Sequence, residues 1–333
     1  MDDFDVIVIG GGAAGLSAGL MLARARVSVL VVDAGAPRNA PAGEVHGLFG
    51  RDGTPPGELL AHGREEVRGY GGRICSGTVT DARPGSTGDG TGTGFVVTVD
   101  GHRCFTARRI VVATGLVDDL PDIPGLRERW GAEVVHCPFC HGWEVRDTAI
   151  AVLALNARAT HQALLFHQWS PDVTVFVNDQ PGVAEEVAAH GIRVVEGPVA
   201  AVELRDRRVA GIRLADGDVH EVETVVIAPR SRIVAPFLDG LGLAPVEHPA
   251  GIGEYLPADA QGRTGVPGVW AAGNVTDPSA QVGGAAAAAA LVAAQLAMEF
   301  ALEKVAQAET STGSRGRAPR VLSPSPRVSA RSA

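Results

Sequence analysis

Residues 5–15 read Asp-Val-Ile-Val-Ile-Gly-Gly-Gly-Ala-Ala-Gly (DVIVIGGGAAG), and this stretch decides the fold. Five residues suited to a buried strand run directly into a glycine cluster. An apolar helical pattern follows from Leu16 to about Ala23, and a second strand, Val27–Val32, ends in Asp33. That is a βαβ start carrying a dinucleotide fingerprint in its proper setting. The reasons are steric and electrostatic. Gly10 permits the tight turn, Gly12 lets a pyrophosphate approach the backbone, and Gly15 lets helix meet strand, while Ala13 and Ala14 open a helix whose N-terminus faces the anion. Asp33 stands where a carboxylate can bond a ribose hydroxyl, with Ala34 beside it.

The same design recurs. Val6–Leu20 (VIVIGGGAAGLSAGL) lies on Ile150–Leu164 (IAVLALNARATHQAL) without a gap, but Gly10, Gly11 and Gly12 meet Ala154, Leu155 and Asn156. The β-carbons and the leucine side chain are expected to crowd the phosphate space. The partner strand Val173–Val177 ends in Asn178-Asp179, and no arginine for a 2′-phosphate follows until Arg193. The scaffold of a nicotinamide domain is present without its binding chemistry.

Between the two units, Gly94–Asp100 and Arg103–Thr106 read as short strands, Gly85–Gly94 as a hairpin loop, and Arg109–Gly115 as a buried strand ending in Ala113-Thr114-Gly115. Gly268–Asn274 repeats that last device, and Gln281–Ala294 reads as a helix packing back on the first unit. The 333 residues, 45% apolar and 20% charged, suit two well-buried domains. No early segment has the layout of a secretory signal, so a cytoplasmic location is expected. Ala285–Ala294 is interrupted by Gln295 and Glu299, so no membrane span is expected. The formal charge is −9; residues 309–333 hold five arginines against Glu309, or +4, which leaves −13 for residues 1–308. An acidic body argues against a nucleic-acid partner, and the Ser/Pro/Arg-rich end reads as a disordered basic tail.

Residues 134–145 read VVHCPFCHGWEV. With Gly10–Gly15, Ala113–Gly115 and Gly268–Asn274, this Cys137-Pro-Phe-Cys140 pair makes the chain resemble the low-molecular-weight thioredoxin reductases, FAD-dependent disulfide oxidoreductases, from Asp5 to about Lys304. Within them it is most similar to the dithiol oxidases of gliotoxin, holomycin and romidepsin biosynthesis. The absent glycines at Ala154–Asn156 fit that subgroup, as does His141 in place of the aspartate after the second cysteine of reductases. Gly273-Asn274 departs from an expected glycine-aspartate near the flavin ribityl chain, though Asn274 can still bond a hydroxyl.

The resemblance implies an α/β protein of two Rossmann-like, three-layer ββα domains. The FAD domain, 1–118 and 246–308, is split by a degenerate NAD(P)-type domain at 119–245, with the tail at 309–333. It implies FAD held by the residues above together with Arg38, Asn39, His46, Val79, Gln281 and Val282, no NAD(P)H, and a homodimer. For the cysteines, four ligands within residues 136–141 cannot readily surround one zinc ion, with Cys75 and Cys104 standing alone, so no metal is expected. A structural CxxC disulfide constrains little chain. Redox catalysis remains, and by resemblance Cys140 faces the flavin and Cys137 a small-molecule dithiol substrate, with electrons passing on to O2. His141, and secondarily His136, are the candidates for proton transfer. Trp143 and Glu144 can line the pocket, while Cys75 and Cys104 read as inert. Two rival readings are an NAD(P)H-dependent thioredoxin reductase and a non-catalytic flavin redox sensor.

Overall fold

The computed structural model describes residues 2–86, 93–177 and 180–313. The first unit contains β1 (Asp2–Ile9), α1 (Ala13–Arg24), β2 (Val29–Asp33), α2 (Pro56–Gly69) and β3 (Arg73–Ser76), then β4 (Val79–Ser86), β5 (Thr93–Val99) and β6 (Arg103–Val112). β1, β2, β3 and β6 run parallel in the order β3-β2-β1-β6. The sequence suggests two separate strands over 103–115; the structure has one continuous strand, β6. One edge lies parallel to β1 along most of its length, Phe105 opposite Asp2 and Ile110 opposite Ile7, while the other edge divides: its first half pairs antiparallel with β5, Phe105 opposite Val97, and its second half lies parallel to residues 269–271, Ile110 opposite Val269. Arg108 and Arg109, at the join, are both bonded to Glu303 of the last helix. The fork in β6 gives the domain its layers: α1 and the last helix on one face of the parallel sheet, the β4–β5 ribbon on the other.

The chain leaves this unit through β7 (Val117–Asp119). The second unit comprises β8 (Val134–Val135), α3 (Pro138–His141), β9 (Ile150–Ala154), α4 (Arg158–Phe166), β10 (Val173–Val177), α5 (Pro181–Ala189), β11 (Arg193–Glu196), an antiparallel ribbon β12 (Val199–Arg205), β13 (Arg208–Leu214) and β14 (Val219–Glu221), and β15 (Thr224–Val226). Its parallel sheet is ordered β11-β10-β9-β15-β8. β9 and β10 are wholly buried, so each large aliphatic residue on them contributes roughly 1.5–3 kcal/mol of transfer free energy. β16 (Arg230–Arg232) returns the chain, pairing antiparallel with β7, Ser231 opposite Asp118. β17 (Val246–Glu247), β18 (Glu254–Tyr255), β19 (Val269–Ala271) and α6 (Val282–Gly313) complete the fold, with β19 parallel to β6. The fold is α/β with two Rossmann-like units, and the second repeats the strand order of the first with β8 in the place of β19.

α6 is longer than the expected Gln281–Ala294 helix. Gln295 and Glu299 do not interrupt it: Glu299 accepts a hydrogen bond from Arg263 at 3.0 Å. By length and composition Val282–Glu309 is apolar enough to cross a membrane. Here Ala289, Val292, Ala293, Leu296 and Phe300, at helical spacing, are buried in the core shared with α1 and Trp270. The helix runs into the first residues of the stretch read as a tail. Residues 314–333 lie outside the described residues, as do residues 87–92 of the glycine-rich loop and Asn178-Asp179. The flanks of that loop do pair as a hairpin, Ser86 opposite Thr93.

Candidate active site

β8 delivers the chain to His136 and Cys137, and Pro138 starts the one-turn helix α3 with its fixed φ. Cys137 is extended, its carbonyl accepts from the N–H of Cys140 and of His141 at 3.2 Å, and the two cysteines form a disulfide with Cα atoms 5.2 Å apart. A side chain on Gly142 would meet the Trp169 ring at 2.6 Å, so only glycine lets this turn sit on that indole. Phe139, between the cysteines, meets Trp169 edge-on at 6.1 Å yet is 62% exposed, and Trp143 is 65% exposed. Exposed aromatics beside a half-buried disulfide form an apolar approach to it.

The two histidines differ. His136 stacks on Trp130 at 5.5 Å, and burial, aided by the Arg38 charge, pushes its pKa down to about 4. It is an uncharged ring at physiological pH, stacked on Trp130. His141 is also lowered from the usual histidine value, chiefly by burial, with the Cys137 carbonyl and Glu144 opposing the shift. Its Nδ1 is buried without a hydrogen-bond partner, so the imidazole is uncharged and free to take a proton. Gln162, absent from the sequence reading, donates through Nε2 to the carbonyls of His136 and Ile227, both at 2.8 Å. It ties the approach to Cys137 to the end of β15.

The end of β1 fits a dinucleotide. A methyl group on Gly10 would lie 2.2 Å from the Ala113 oxygen, and one on Gly15 would lie 1.8 Å from the Gly10 oxygen. Gly10 also has φ +122°, a left-handed value. Nothing lies within 4 Å of the β-carbon position of Gly12, so open space faces the start of α1 and its unpaired N–H groups. The Thr114 Oγ1 is buried without a partner, and Gly115 has φ +68°.

The matching place on the second unit is spanned by side-chain hydrogen bonds. Asn156 Nδ2 donates to the Ala228 carbonyl at 2.9 Å, and Arg158 Nη2 donates to those of Ala228 and Pro229 at 2.8 and 2.7 Å. Ala228 and Pro229 follow β15 as Ala113 and Thr114 follow β6. Leu155, expected to crowd this space, is instead 39% exposed. Arg158, not singled out from sequence, takes its place. Arg193 is bonded to Asp172 and, at 3.1 Å, to Thr174.

The sequence matches the pyridine nucleotide-disulphide oxidoreductase family over residues 4–294. The chain belongs to that family. It is 30% identical to thioredoxin reductase sirT of Leptosphaeria maculans over 298 residues, 84% of this chain and 89% of the relative. It is 32% identical to thioredoxin reductase tcpT of Claviceps purpurea over 288 residues, 81% and 86% of the two chains. Among solved structures it is similar to that of HlmI, with a TM-score of 0.85, 41% identity, and 94% and 97% of the chains covered. An oxidoreductase from Agrobacterium tumefaciens follows at 0.81 and 37%, covering 91% and 99%.

Family membership implies FAD, and the Gly10–Gly15 cradle with Thr114 is where the chain fits it. The other residues assigned to FAD by resemblance make the following contacts within the protein. Asp33 accepts from the Gly35 N–H at 2.8 Å and from Arg64 at 2.7 and 2.9 Å, a partner the sequence did not reveal. Arg38 is held by Asp118. His46 stands among Glu144 at 3.4 Å, Glu44 at 3.5 Å and Asp52 at 3.7 Å, joining the loop after β2 to the segment after α3. The Asn39 carbonyl accepts from Ala42, and Asn274 Nδ2 donates to the carbonyls of Asp277 and Ala280. Gly273 has φ +84°, Val79 is buried at the start of β4, Ala34 is exposed, and Gln281 precedes Val282 at the start of α6. Cys75 and Cys104 are half-buried thiols; Arg103 donates to the Cys75 sulfur at 3.2 Å.

Proposed function

We propose that the protein is an FAD-dependent dithiol oxidase that closes an intramolecular disulfide in a small-molecule dithiol and reduces O2 to H2O2. The observation that supports this reading is the second unit's strand-end crevice, where Asn156 and Arg158 are bonded to the carbonyls of Ala228 and Pro229. Electrons then enter from sulfur rather than from NAD(P)H, and the likeness to HlmI is consistent with that direction. The overall change balances: a dithiol and O2 give a disulfide and H2O2.

The chain's own part is thiolate exchange and proton handling. A substrate thiolate attacks Cys137, and Cys140 leaves as the thiolate. The substrate's second thiol then attacks the mixed disulfide, releasing the ring-closed product and leaving the Cys137–Cys140 dithiol. His141, uncharged at neutral pH, accepts a thiol proton beside Cys140. Phe139 and Trp143 offer apolar surface to a ring-bearing substrate. FAD, when bound, supplies the two-electron link between thiols and dioxygen that side chains lack. We place the enzyme in the cytoplasm as a homodimer, without nucleic-acid or membrane partners.

The names of sirT and tcpT favour a second reading, reduction of a thioredoxin-type disulfide. An oxygen electrode with dithiothreitol and then a panel of cyclic dithiols separates the two. The oxidase consumes one O2 per disulfide closed, without NADPH. No steady O2 uptake with any dithiol would reject it, and a redox sensor would show the same failure.

A further inference from the structure

The Arg38 fork is bidentate on Asp118, with Nε to Oδ2 at 2.8 Å and Nη2 to Oδ1 at 2.6 Å. The Ser231 hydroxyl closes the group, donating to Asp118 Oδ1 at 3.0 Å and accepting from Arg38 Nη2 at 3.3 Å. These three residues come from three segments: the loop after β2, the outgoing strand β7 and the returning strand β16. β7 and β16 are the two places where the chain crosses between units. The Asp118 side chain is 5% exposed and Ser231 is buried. Burial alone would raise the Asp118 pKa, yet the Arg38 hydrogen bonds and charge hold it below the usual carboxylate value. The same loop packs onto the second unit at Gly131, where a side chain would meet Pro41 at 2.7 Å. His136, the neighbour of Cys137, lies in the field of both charges.

We propose that Arg38 is a positioning residue rather than a cofactor ligand, clamping both crossing strands to the FAD unit through Asp118 and Ser231 and so fixing where the Cys137–Cys140 turn sits. The planar guanidinium suits this role because it bonds both carboxylate oxygens at once, which an ammonium cannot do. The Asp118 carboxylate is buried while Arg38 is partly exposed, so removing the guanidinium leaves the carboxylate buried and unpaired, and the strands lose their common anchor. The inference rests on reading Cys137–Cys140 as the redox pair.

The test uses full-length, FAD-loaded protein carrying Arg38→Lys, Arg38→Asp, Asp118→Arg, or the last two together. Three readouts are taken: FAD bound per chain, amide hydrogen exchange at residues 117–119 and 230–232, and anaerobic flavin bleaching by dithiothreitol. Arg38→Lys should keep its FAD while exchange at both strands quickens and bleaching slows by about tenfold. The single reversals should slow bleaching by about 100-fold, the scale on which small misplacements act. The double reversal should restore slow exchange and bring bleaching back to within about tenfold of wild type. Loss of FAD in Arg38→Lys with unchanged exchange would make Arg38 a cofactor ligand and overturn the proposal. So would a double reversal no better than either single. If the reversed chains do not fold, Arg38→Lys decides by exchange alone: unchanged protection rejects the clamp. Wild-type protein that no dithiol bleaches would instead reject the redox reading, leaving the exchange result to judge the clamp separately.

Discussion

Two nucleotide-type units stand side by side in this chain with the same strand order and opposite endings. In the first, the β-carbon position of Gly12 faces empty space and a buried threonine hydroxyl lacks a partner. In the second, an amide and a guanidinium occupy the equivalent place and are bonded to the carbonyls that follow β15. The difference shows that a Rossmann scaffold is kept by its buried strands, whereas its ligand is kept by a few positions at the strand ends. On the proposed reading, losing those positions leaves packing untouched, so the second unit serves as a platform for Cys137 and Cys140.

The sharpest way to break the comparison is to exchange the endings. Gly15→Val places carbon against the Gly10 carbonyl and should abolish FAD binding and destabilise the first unit by more than about 3 kcal/mol. Asn156→Val at the other unit should leave the flavin absorbance per chain intact. Equal loss of flavin in both variants would mean that the units are not distinct in function.

Next in size are the residues carried by the second unit. Cys140→Ser should end dithiol-driven O2 uptake while the protein stays yellow. His141→Gln should lower kcat/KM by about 10²–10⁴, the usual worth of a positioned proton acceptor. Because burial lowers the His141 pKa, the wild-type acid limb should lie below the ordinary histidine range. An acid limb at or above that range, read from a pH profile, would remove His141 from the role assigned to it.

A smaller gain is expected from opening the filled site. Asn156→Gly with Arg158→Ser should give measurable quenching of NADPH fluorescence where wild type gives none. Arg158 alone leaving the site blocked would assign the plug to Asn156.

The smallest effect concerns stability. The His136 pKa is about 4 in the folded chain and about 6.5 when unfolded, so the unfolded state binds the extra proton between these values. Stability is therefore full above about pH 6.5 and falls as pH drops toward 4, by up to about 3 kcal/mol. Chemical denaturation of His136→Phe across that window should show a shallower decline; an unchanged slope would place the acid sensitivity elsewhere.

Much of this arrangement is legible in the chain itself. The glycines of the first unit, its βαβ periodicity and the ungapped match to the second are local signals. The misses share a cause, since each depends on a partner distant in sequence. The strands read at 103–106 and 109–115 join into β6, with Arg108 and Arg109 taken up by Glu303. Gln295 and Glu299 look like interruptions of α6 until Arg263 and the packed alanine face are seen. The partners of Arg38 and Asp33, Asp118 and Arg64, are likewise visible only in the fold. Arg158 sits at an ordinary helix-start position, and only the fold brings it against residues 228–229.

The direct measurement is anaerobic mixing of the FAD-loaded protein with excess NADPH or, separately, with a dithiol, following flavin absorbance in a stopped-flow spectrometer. The account predicts bleaching by the dithiol and a flat trace with NADPH. Rapid bleaching by NADPH would contradict it, because a usable coenzyme site would then exist where Asn156 and Arg158 are bonded to residues 228–229.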